Sequence, residues 1–367
     1  MRPTWQRLHD RPDLLGRYLL RERVIHAIRA FFLGQGFHEV ETPLLVPVPS
    51  MEPYLEVFET AFTDAWGRAH RAFLTNSPEY AMKRLLVAGL PRIFQICKAF
   101  RNGEDTGPRR NPEFTILEWY RAQADYTAIM RDCEGLLLAL HRATRDPDDD
   151  PAAAPILSYQ GVEVDLTPPW ERLTVHEAFA RYAALDLDTV GDLGALAATA
   201  RAKGYTVPPG TTWDEVLGQI FADEVEPHLG RGRPTILYDY PIAWAGLARP
   251  KGGDPRYAER FEFYIAGVEL GNAFSELTDP VEQERRLRAD QAARAATGKK
   301  RFALDHDFLA ALRVGMPPAG GIAVGVDRLV MLLADVPSIH DTLWMPGREL
   351  FGSDGGTRVG DQDSEPP

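Results

Sequence analysis

Apolar residues near the start of the chain recur at helical spacing over residues 14–33, and Gly34 and Gly36 then interrupt the pattern. This pattern predicts an amphipathic helix. The residues that follow, 37–43 (FHEVETP), are typical of a short strand. Because Pro43 cannot donate a ladder hydrogen bond, this strand is expected at a sheet edge or at an interface.

Two longer apolar segments, 92–101 (RIFQICKAFR) and 113–122 (EFTILEWYRA), are predicted to pair as strands. The connection between them, NGEDTGPRRNP, is charged and contains glycine and proline. Since tight hairpins need only ~2–5 linking residues, this long loop is expected to have a function. Arg101 ends the first strand and is by itself a weak signal of a site.

The second of these strands places a carboxylate among apolar side chains. Glu118 and Tyr120 share a face with Phe114 and Ile116. A carboxylate in such surroundings needs a cationic partner. That partner could be a ligand, or it could be an internal arginine or lysine.

Residues 260–274 (RFEFYIAGVELGNAF) are predicted to form two strands around an Ala-Gly turn. A two-residue loop sets Tyr264 opposite Glu269 and Glu262 opposite Gly271. The two glutamates are then diagonal neighbours on one face, roughly 7 Å apart at the backbone. They could bridge Mg²⁺, or they could simply lie on a solvated face.

Residues 320–333 (GGIAVGVDRLVMLL) predict a buried strand, a glycine break and an apolar helix that begins near Val326. Arg328 then lies in the first helical turn, where a cation opposes the helix dipole and a bound anion would reverse the cost. Alternatively, Arg328 reaches solvent or pairs near Asp327.

The composition limits the class of protein. The 367 residues are 44% hydrophobic, enough for one large domain or two ordinary ones. No run of ~18 apolar residues and no secretory leader occurs, which predicts a soluble cytoplasmic protein with no membrane contact. A net charge of -12 argues against non-specific nucleic-acid binding. Cys97 and Cys133 are not in a C-x-x-C spacing and are expected to be packed thiols.

Three segments bear on the domain organisation. The acidic stretch DPDDDPAAAP over 146–155 is expected to be an exposed joint, and helical patterns predict an insertion over about 150–230. A polar, flexible tail is expected over 346–367, after a catalytic domain over 1–345. Neither G-x-x-x-x-G-K-S/T nor G-x-G-x-x-G after a strand is present, so an ATP site would be built from side chains and sheet.

Taken together, these segments resemble the three sequence motifs of class II aminoacyl-tRNA synthetases. The first is the helix with GFHEVETP, the second is FRNGE with NPEFTILEWY, and the third is GVDRL. Their order and spacing match across about residues 13–345. The resemblance implies an α+β fold with a central antiparallel sheet flanked by helices, a homodimer formed through the first motif, and use of ATP with Mg²⁺.

The lysine-activating branch is the most similar, through SPEYAMKRLLVAG over 77–89 and VELGNAFSEL over 268–277. Within it, the sequence is similar to truncated paralogues that attach (R)-β-lysine to a lysine of elongation factor P. The similarity rests on a catalytic core that begins near residue 13, which leaves no room for an anticodon-reading domain. It also rests on Ser-Pro-Glu-Tyr at 77–80, and on Ala323 where synthetases usually have glycine.

The resemblance implies an ATP site. Arg101 would bridge the carboxylate of the amino acid and the α-phosphate. Phe114 and Arg328 would sandwich the adenine, with Arg109 near the γ-phosphate. Arg101 and Arg328 would be the catalytic residues, since attack of a carboxylate on phosphorus needs positioning and cationic charge. Other residues implied to line the nucleotide are Asn102, Gly103, Glu104, Asn111, Glu269, Leu270 and Gly325.

The resemblance also implies an amino acid site. Glu262 and Glu269 would hold Mg²⁺. Glu79 would meet the amino group near the carboxylate, and Tyr120 with Glu276 would bind the distal ammonium. The remaining residues implied to bind the substrate are Ser77, Pro78, Asn272 and Ala323.

The second motif departs from the family pattern. The family usually has glutamate two residues after the arginine, whereas Gly103 holds that place here and Glu104 follows. The loop is one residue longer, and Arg110 replaces the usual histidine before Asn111. These departures affect adenine recognition most directly.

The expected reaction has two steps. ATP and (R)-β-lysine give an adenylate and pyrophosphate, and a lysine amine of elongation factor P then displaces AMP. The rival functions are tRNA charging by a minimal synthetase, which is not expected to be productive, and amino acid sensing by a non-catalytic paralogue. Retention of both metal and phosphate ligands disfavours the sensor.

Overall fold

The computed structural model describes residues 2–104, 107–146, 148, 150 and 152–352. Its helices are α1 Thr4–Asp10, α2 Leu15–Gly34, α3 Glu79–Val87, α4 Tyr126–Thr144, α5 Val175–Ala183, α6 Leu193–Ala202, α7 Trp213–Ile220, α8 Pro280–Ala296, α9 His306–Gly315, α10 Val326–Leu333 and α11 Gly347–Leu350. Its strands are β1 His38–Glu39, β2 Leu45–Val46, β3 Glu59–Thr63, β4 Ala69–Leu74, β5 Arg92–Phe100, β6 Glu113–Ala122, β7 Ile156–Tyr159, β8 Val162–Asp165, β9 Glu171–Thr174, β10 Thr235–Pro241, β11 Tyr257–Ile265, β12 Val268–Ser275 and β13 Ala319–Gly325.

The main sheet has eight strands within the described ranges, in the order β1-β5-β6-β13-β12-β11-β10-β9. The pairs from β5 to β10 are antiparallel, whereas the edge strands β1 and β9 run parallel to their neighbours. The predicted α+β class with a largely antiparallel central sheet is confirmed. The strand expected near Pro43 is β1, and it lies at the sheet edge as predicted.

Helices α2, α4 and α10 cover one face of this sheet. The cluster they form with it includes the fully buried Phe32, Trp119, Phe261, Leu136 and Val330. Burial of each such side chain stabilises the fold by about 1.5–3 kcal/mol. The predicted helix over 14–33 is α2. Both cysteines are free; Cys133 is buried, as expected of a packed thiol, whereas Cys97 is only partly buried. This packed face fixes the sheet, so the opposite face can carry polar side chains.

The segment predicted as a helical insertion contains helices α5, α6 and α7, but also strands. The hairpin β7-β8 and strand β9 precede the helices, and β9 joins the main sheet beside β10. Capping boxes begin α5, with Thr174 and Glu177, and α7, with Thr212 and Glu215. The insertion is therefore continuous with the sheet edge.

The described residues continue past residue 345. Helix α11 lies at the start of the predicted tail, and its Gly347 N–H donates to Asn111 Oδ1 at 2.8 Å. The rest of that predicted tail, 353–367, lies outside the described residues, as do 147, 149 and 151 of the predicted acidic joint. Among the helices described, none is long and apolar enough to cross a membrane.

Candidate functional site

One face of the main sheet carries polar residues from the predicted sites. Residues paired directly across neighbouring strands share a face. Ala323 on β13 pairs with Glu118 on β6 and with Asn272 on β12. Asn272 in turn pairs with Glu262 on β11. We call the face defined by these four residues the site face.

Arg101 follows the last residue of β5, and its N–H donates to the carbonyl of Pro112 at 2.9 Å. Its guanidinium carbon lies 5.0 Å from the centre of the Phe114 ring and one nitrogen lies 4.0 Å from the Glu104 carboxylate. One face of Phe114 is therefore covered, so an adenine between Phe114 and Arg328 would stack on the other. The half-buried Arg101 side chain can still reach an anion.

Arg328 crosses from helix α10 to strand β12. Gly325 directly precedes the helix, and Arg328 lies in its first turn as predicted. The guanidinium donates to the backbone oxygen of Glu269 at 2.8 Å and lies 3.3 Å from its carboxylate. Asp327 is held elsewhere, by an ion pair with Arg21 at 2.6 Å. Arg328 therefore pairs with Glu269, and the alternative that it pairs near Asp327 is wrong.

The two predicted metal ligands lie on the β11-β12 hairpin. Tyr264 faces Glu269, as predicted. The prediction that Glu262 faces Gly271 is wrong, because a bulge shifts the register and Glu262 faces Asn272. The two glutamates still share the site face. Burial, followed by the charge of Glu262, raises the pKa of Glu269 above its usual range.

The carboxylate of Glu262 is enclosed by donors. Arg260 donates to it at 2.5 Å and to Asn272 Oδ1 at 3.0 Å. The hydroxyl of Tyr264 also donates to it at 2.5 Å. With the Glu269 carboxylate nearby, these oxygens are of the kind that Mg²⁺ prefers, and a cation would relieve the repulsion that raises the Glu269 pKa. The donor set thus fits Mg²⁺.

Helix α3 begins at Glu79, directly after Ser77 and Pro78. The hydroxyl of Ser77 accepts from the Glu79 N–H at 3.1 Å and donates to Glu118 on β6 at 2.6 Å. A carboxylate in the first turn is also favoured by the helix dipole. Ser77 therefore ties the start of α3 to the site face.

Lys83 lies one turn further along α3 and is fully buried. Its ammonium lies 2.5 Å from the carboxylates of both Glu79 and Glu276. Burial alone would lower the pKa of Lys83, but the charges of Glu276 and Glu79 outweigh burial and raise the pKa. Lys83 is therefore a permanent cation. We call the group of residues around it the amine pocket: Glu79, Lys83, Glu118, Tyr120 and Glu276.

Glu118 is nearly inaccessible and accepts from Ser77 and from the Tyr120 hydroxyl, the latter at 2.8 Å. Burial, followed by the charge of Glu79, raises the pKa of Glu118 to about 8, although both hydrogen bonds and Lys83 act to lower it. The sequence predicted a cationic partner for Glu118. In the structure two hydroxyl groups donate to Glu118, and the cation Lys83 lies nearby.

Glu276 keeps an oxygen available for a ligand. Burial raises its pKa to about 7 against the lowering effect of Lys83. Its Oε1 is buried and accepts no hydrogen bond from the residues that the structure describes. A Cβ on Gly321 would overlap this oxygen and the Tyr120 ring, so glycine keeps the space open. Ala323 lies two residues further along the same strand.

In the described part of the long loop between β5 and β6, two side chains form hydrogen bonds with backbone groups elsewhere. Asn111, predicted to line the nucleotide, donates to the carbonyl of Glu113 at 2.5 Å and accepts from Gly347. Its side chain therefore fastens the loop to α11. Arg109 reaches the β11-β12 turn and donates to the carbonyl of Gly267 at 3.2 Å, near the two metal-ligand candidates.

Three other residues predicted to line the nucleotide are described by their backbone or by their burial. Asn102 donates its N–H to the carbonyl of Glu56 at 2.9 Å, and Gly103 has a φ of 74° that favours glycine. Leu270 has its side chain in the main core. Residues 105–106 of this loop lie outside the described part of the chain, and Arg110 is exposed.

Three groups near the site were missed or left without a role by the sequence analysis. Lys83 lies inside the quoted SPEYAMKRLLVAG segment, and a lysine on the buried side of an amphipathic helix was the available signal. Arg260 lies two residues before Glu262 on the same strand face. Glu226 is a third carboxylate near Glu262 and Glu269. Burial, followed by the charge of Glu269, raises its pKa. No local sequence pattern indicates this position.

Comparison with known proteins gives the same family as the motifs. Residues 4–349 match the family model of tRNA synthetases class II (D, K and N). The lysine–tRNA ligase of Moorella thermoacetica is 39% identical over 347 residues, which cover 91% of this chain and 66% of that protein. The lysine–tRNA ligases of Magnetococcus marinus and of Synechococcus sp. strain CC9605 are also 39% identical, and the match covers 64% of each. The chain thus spans slightly less than two thirds of the length of these relatives.

Proposed function

We propose, from the premise that the chain belongs to the class II tRNA synthetases of the D, K and N type, that it uses ATP to activate a lysine-like diamino acid as an adenylate. The observation that carries this proposal is the amine pocket, in which the buried Glu118 and Glu276 and the partly buried Glu79 lie around one buried lysine. An excess of buried acids is costly unless cations compensate it. A substrate with two ammonium groups supplies that compensation.

The other end of the site face suits the triphosphate. Arg101 would contact the reacting phosphate, Arg328 would stack on the adenine, and Arg109 would contact the outer phosphates. Glu262 and Glu269 would hold Mg²⁺, which supplies neutralisation of phosphate charge when bound. Attack of the substrate carboxylate on the α-phosphorus forms the acyl phosphate bond and breaks the bond to pyrophosphate. The arginines stabilise the charge that develops, so no general base is required.

We assign (R)-β-lysine as the amino acid and a lysine side chain of elongation factor P as the acceptor. Ala323 supports the first assignment, since its methyl group lies on the site face beside Asn272 and Glu118 and would occupy space that α-lysine needs. The uncharged acceptor amine attacks the mixed anhydride, an amide forms, AMP leaves and the amine loses a proton. The chain has 53 acidic and 41 basic residues, so its net negative charge gives no broad attraction for tRNA.

Charging of tRNA with lysine is the second candidate function, because the relatives that are 39% identical are named lysine–tRNA ligases. A homodimer formed through the first motif is proposed for either function. A sensor without catalysis is the third candidate, and the full set of phosphate and carboxylate ligands disfavours it.

Two measurements separate these functions. Exchange of pyrophosphate with ATP, driven by each lysine isomer, tests adenylation, and exchange is expected with (R)-β-lysine above L-lysine. Radiolabelled amino acid is then offered to tRNA and elongation factor P in competition. Label in a stable amide on the protein supports the proposal, whereas label in an alkali-labile ester on tRNA supports the second candidate. ATP binding without exchange would indicate the sensor.

A further inference from the structure

Lys83 is a buried cation that the proposed reaction does not use directly. It lies on α3 with no exposed side-chain surface, and its ammonium bridges the carboxylates of Glu79 and Glu276. These two residues come from different parts of the fold, α3 and the end of β12. Lys83 therefore holds together two carboxylates that would otherwise repel each other in a buried site.

The charges around Lys83 do not balance. Glu118 on β6 is a third carboxylate and is nearly inaccessible, and its pKa responds to the charges of both Glu79 and Lys83. With all groups ionised, the pocket would contain two more negative than positive charges. Burial of two uncompensated charges is too costly to persist, so the empty pocket takes up protons instead.

Other titratable groups near the pocket do not change this balance. Tyr120 stays neutral because burial and the charge of Glu118 raise its pKa well above the usual range. Cys97 on β5 stays a thiol, since burial and Glu118 raise its pKa to about 12. Glu52, in the loop before β3, is exposed to solvent, and its pKa is affected more by the charge of Arg101 than by that of Glu79. The two excess charges therefore belong to the pocket itself.

We propose that Lys83 is a positioning residue that sets the charge of the amine pocket, so that the pocket matches two substrate ammonium groups and releases protons when they bind. The proposal rests on the proposed function, because it takes a diamino acid as the ligand. With Lys83 present, the three ionised carboxylates require two further cations. Without Lys83 they would require three, so a diamino acid would leave one carboxylate to be neutralised by a proton.

The direction of the pH dependence follows from the carboxyl groups. Glu118 and Glu276 have pKa values raised to about 8 and about 7 by burial. Below these values they carry protons that must leave when an ammonium binds. Affinity should therefore rise with pH from 6 to 8 and level off above 8, with release of roughly one to two protons per ligand at pH 7.

Replacing Lys83 by methionine or by arginine distinguishes the effect of its charge from the effect of its packing. Lys83→Met removes the cation and is expected to raise the pKa of the remaining carboxyls, with roughly a tenfold loss of affinity at pH 7 for each pKa unit. The loss should shrink at pH 9, because the carboxyls are then ionised. Lys83→Arg keeps the charge and should keep the pH range of binding, even if KM rises. Arg84→Met is the control, since Arg84 is on the same helix but pairs with Asp305 and Asp307 outside the pocket.

The experiment is calorimetric titration of the wild-type protein with (R)-β-lysine, L-lysine and 6-aminohexanoate, in buffers that differ in ionisation enthalpy. Proton release is expected with both lysines, and less with 6-aminohexanoate, which has one amine. The pH profile of amino acid KM is then compared among the variants, with kcat as a separate readout.

Binding of a lysine isomer without proton release, or an unchanged profile in Lys83→Met, overturns this role of Lys83 and leaves the proposed function standing. Failure of the wild type to bind or activate any lysine isomer overturns the proposed function instead. If Lys83→Met does not fold, the wild-type proton count and the profile of Lys83→Arg decide.

Discussion

Substitution of Gly321 by alanine tests whether the space beside Glu276 is the amino acid site. Gly321 lies in β13 in ordinary strand conformation, so alanine can adopt its backbone without strain. The added Cβ would overlap Glu276 Oε1 and the ring of Tyr120. Its effect therefore falls on the two side chains proposed to hold the distal ammonium.

The neighbours of Gly321 have little freedom to move. Tyr120 is held by its hydrogen bond to Glu118 at 2.8 Å, and Glu276 by Lys83 at 2.5 Å. An extra methyl group in a filled interior costs about 1–3 kcal/mol. A clash of this size in a substrate pocket corresponds to a loss of roughly 10- to 200-fold in kcat/KM. The proposed ATP site is further along the site face and should be affected much less.

The assay is pyrophosphate exchange at varied amino acid and at varied ATP, with thermal unfolding to check the fold. Gly321→Ala is expected to raise KM for the amino acid and to leave KM for ATP within about threefold, since the lost energy acts at one pocket. Gly218→Ala is the matched control, because nothing lies within 4 Å of its added Cβ in α7. A folded Gly321→Ala protein with an unchanged amino acid KM would refute the placement of the substrate.

Three other substitutions address separate parts of the molecule. Arg101→Ala should lower exchange by roughly 10²- to 10³-fold, the usual loss when a donor to developing charge is removed, and a rate near wild type would remove Arg101 from the mechanism. Ala323→Gly should increase use of α-lysine relative to (R)-β-lysine by roughly 10- to 200-fold in the ratio of kcat/KM; an unchanged ratio contradicts the steric argument. Arg21→Met should lower the free energy of unfolding in urea by about 3–5 kcal/mol, because the buried Asp327 loses its cation, and a smaller loss would mean that Asp327 takes up a proton or water.

Most elements that build the main sheet could be predicted because their apolar patterns are local. The pairing of β5 with β6, the β11-β12 turn at Ala266 and Gly267, and the start of α10 at Val326 all follow from such patterns. Strands β7 to β9 were not predicted, since each has only four residues and lies among helical patterns. Short strands gain their stability from their partners, which a local pattern does not contain.

The register of the site hairpin shows a second limit. A two-residue turn fixes the pairing next to it, so Tyr264 opposite Glu269 could be predicted. The bulge one residue further on depends on packing: Leu270 enters the core, and a Cβ on Gly271 would overlap Phe263 and Val324. Both glutamates still share a face, because a bulge adds one residue to a single strand and changes the pairing beyond it.

The amine pocket could be predicted only in part, for a physical reason. Residues such as Glu79 and Glu276 are implied by the family resemblance of the segments that contain them, but the balance of charge between α3, β6 and β12 exists only once these elements are packed. The position of Lys83 on the buried side of an amphipathic helix indicates that it is buried, but not which acids it meets. Packing buries it between two acids and leaves Glu118 with hydroxyl donors alone. Because buried charge has to be neutralised, the pocket must hold protons or a diamino ligand, and the choice between them depends on pH. If the pocket binds the amino acid as proposed, substrate selection is a property of the three elements together, and Lys83 determines how many cations the ligand has to supply.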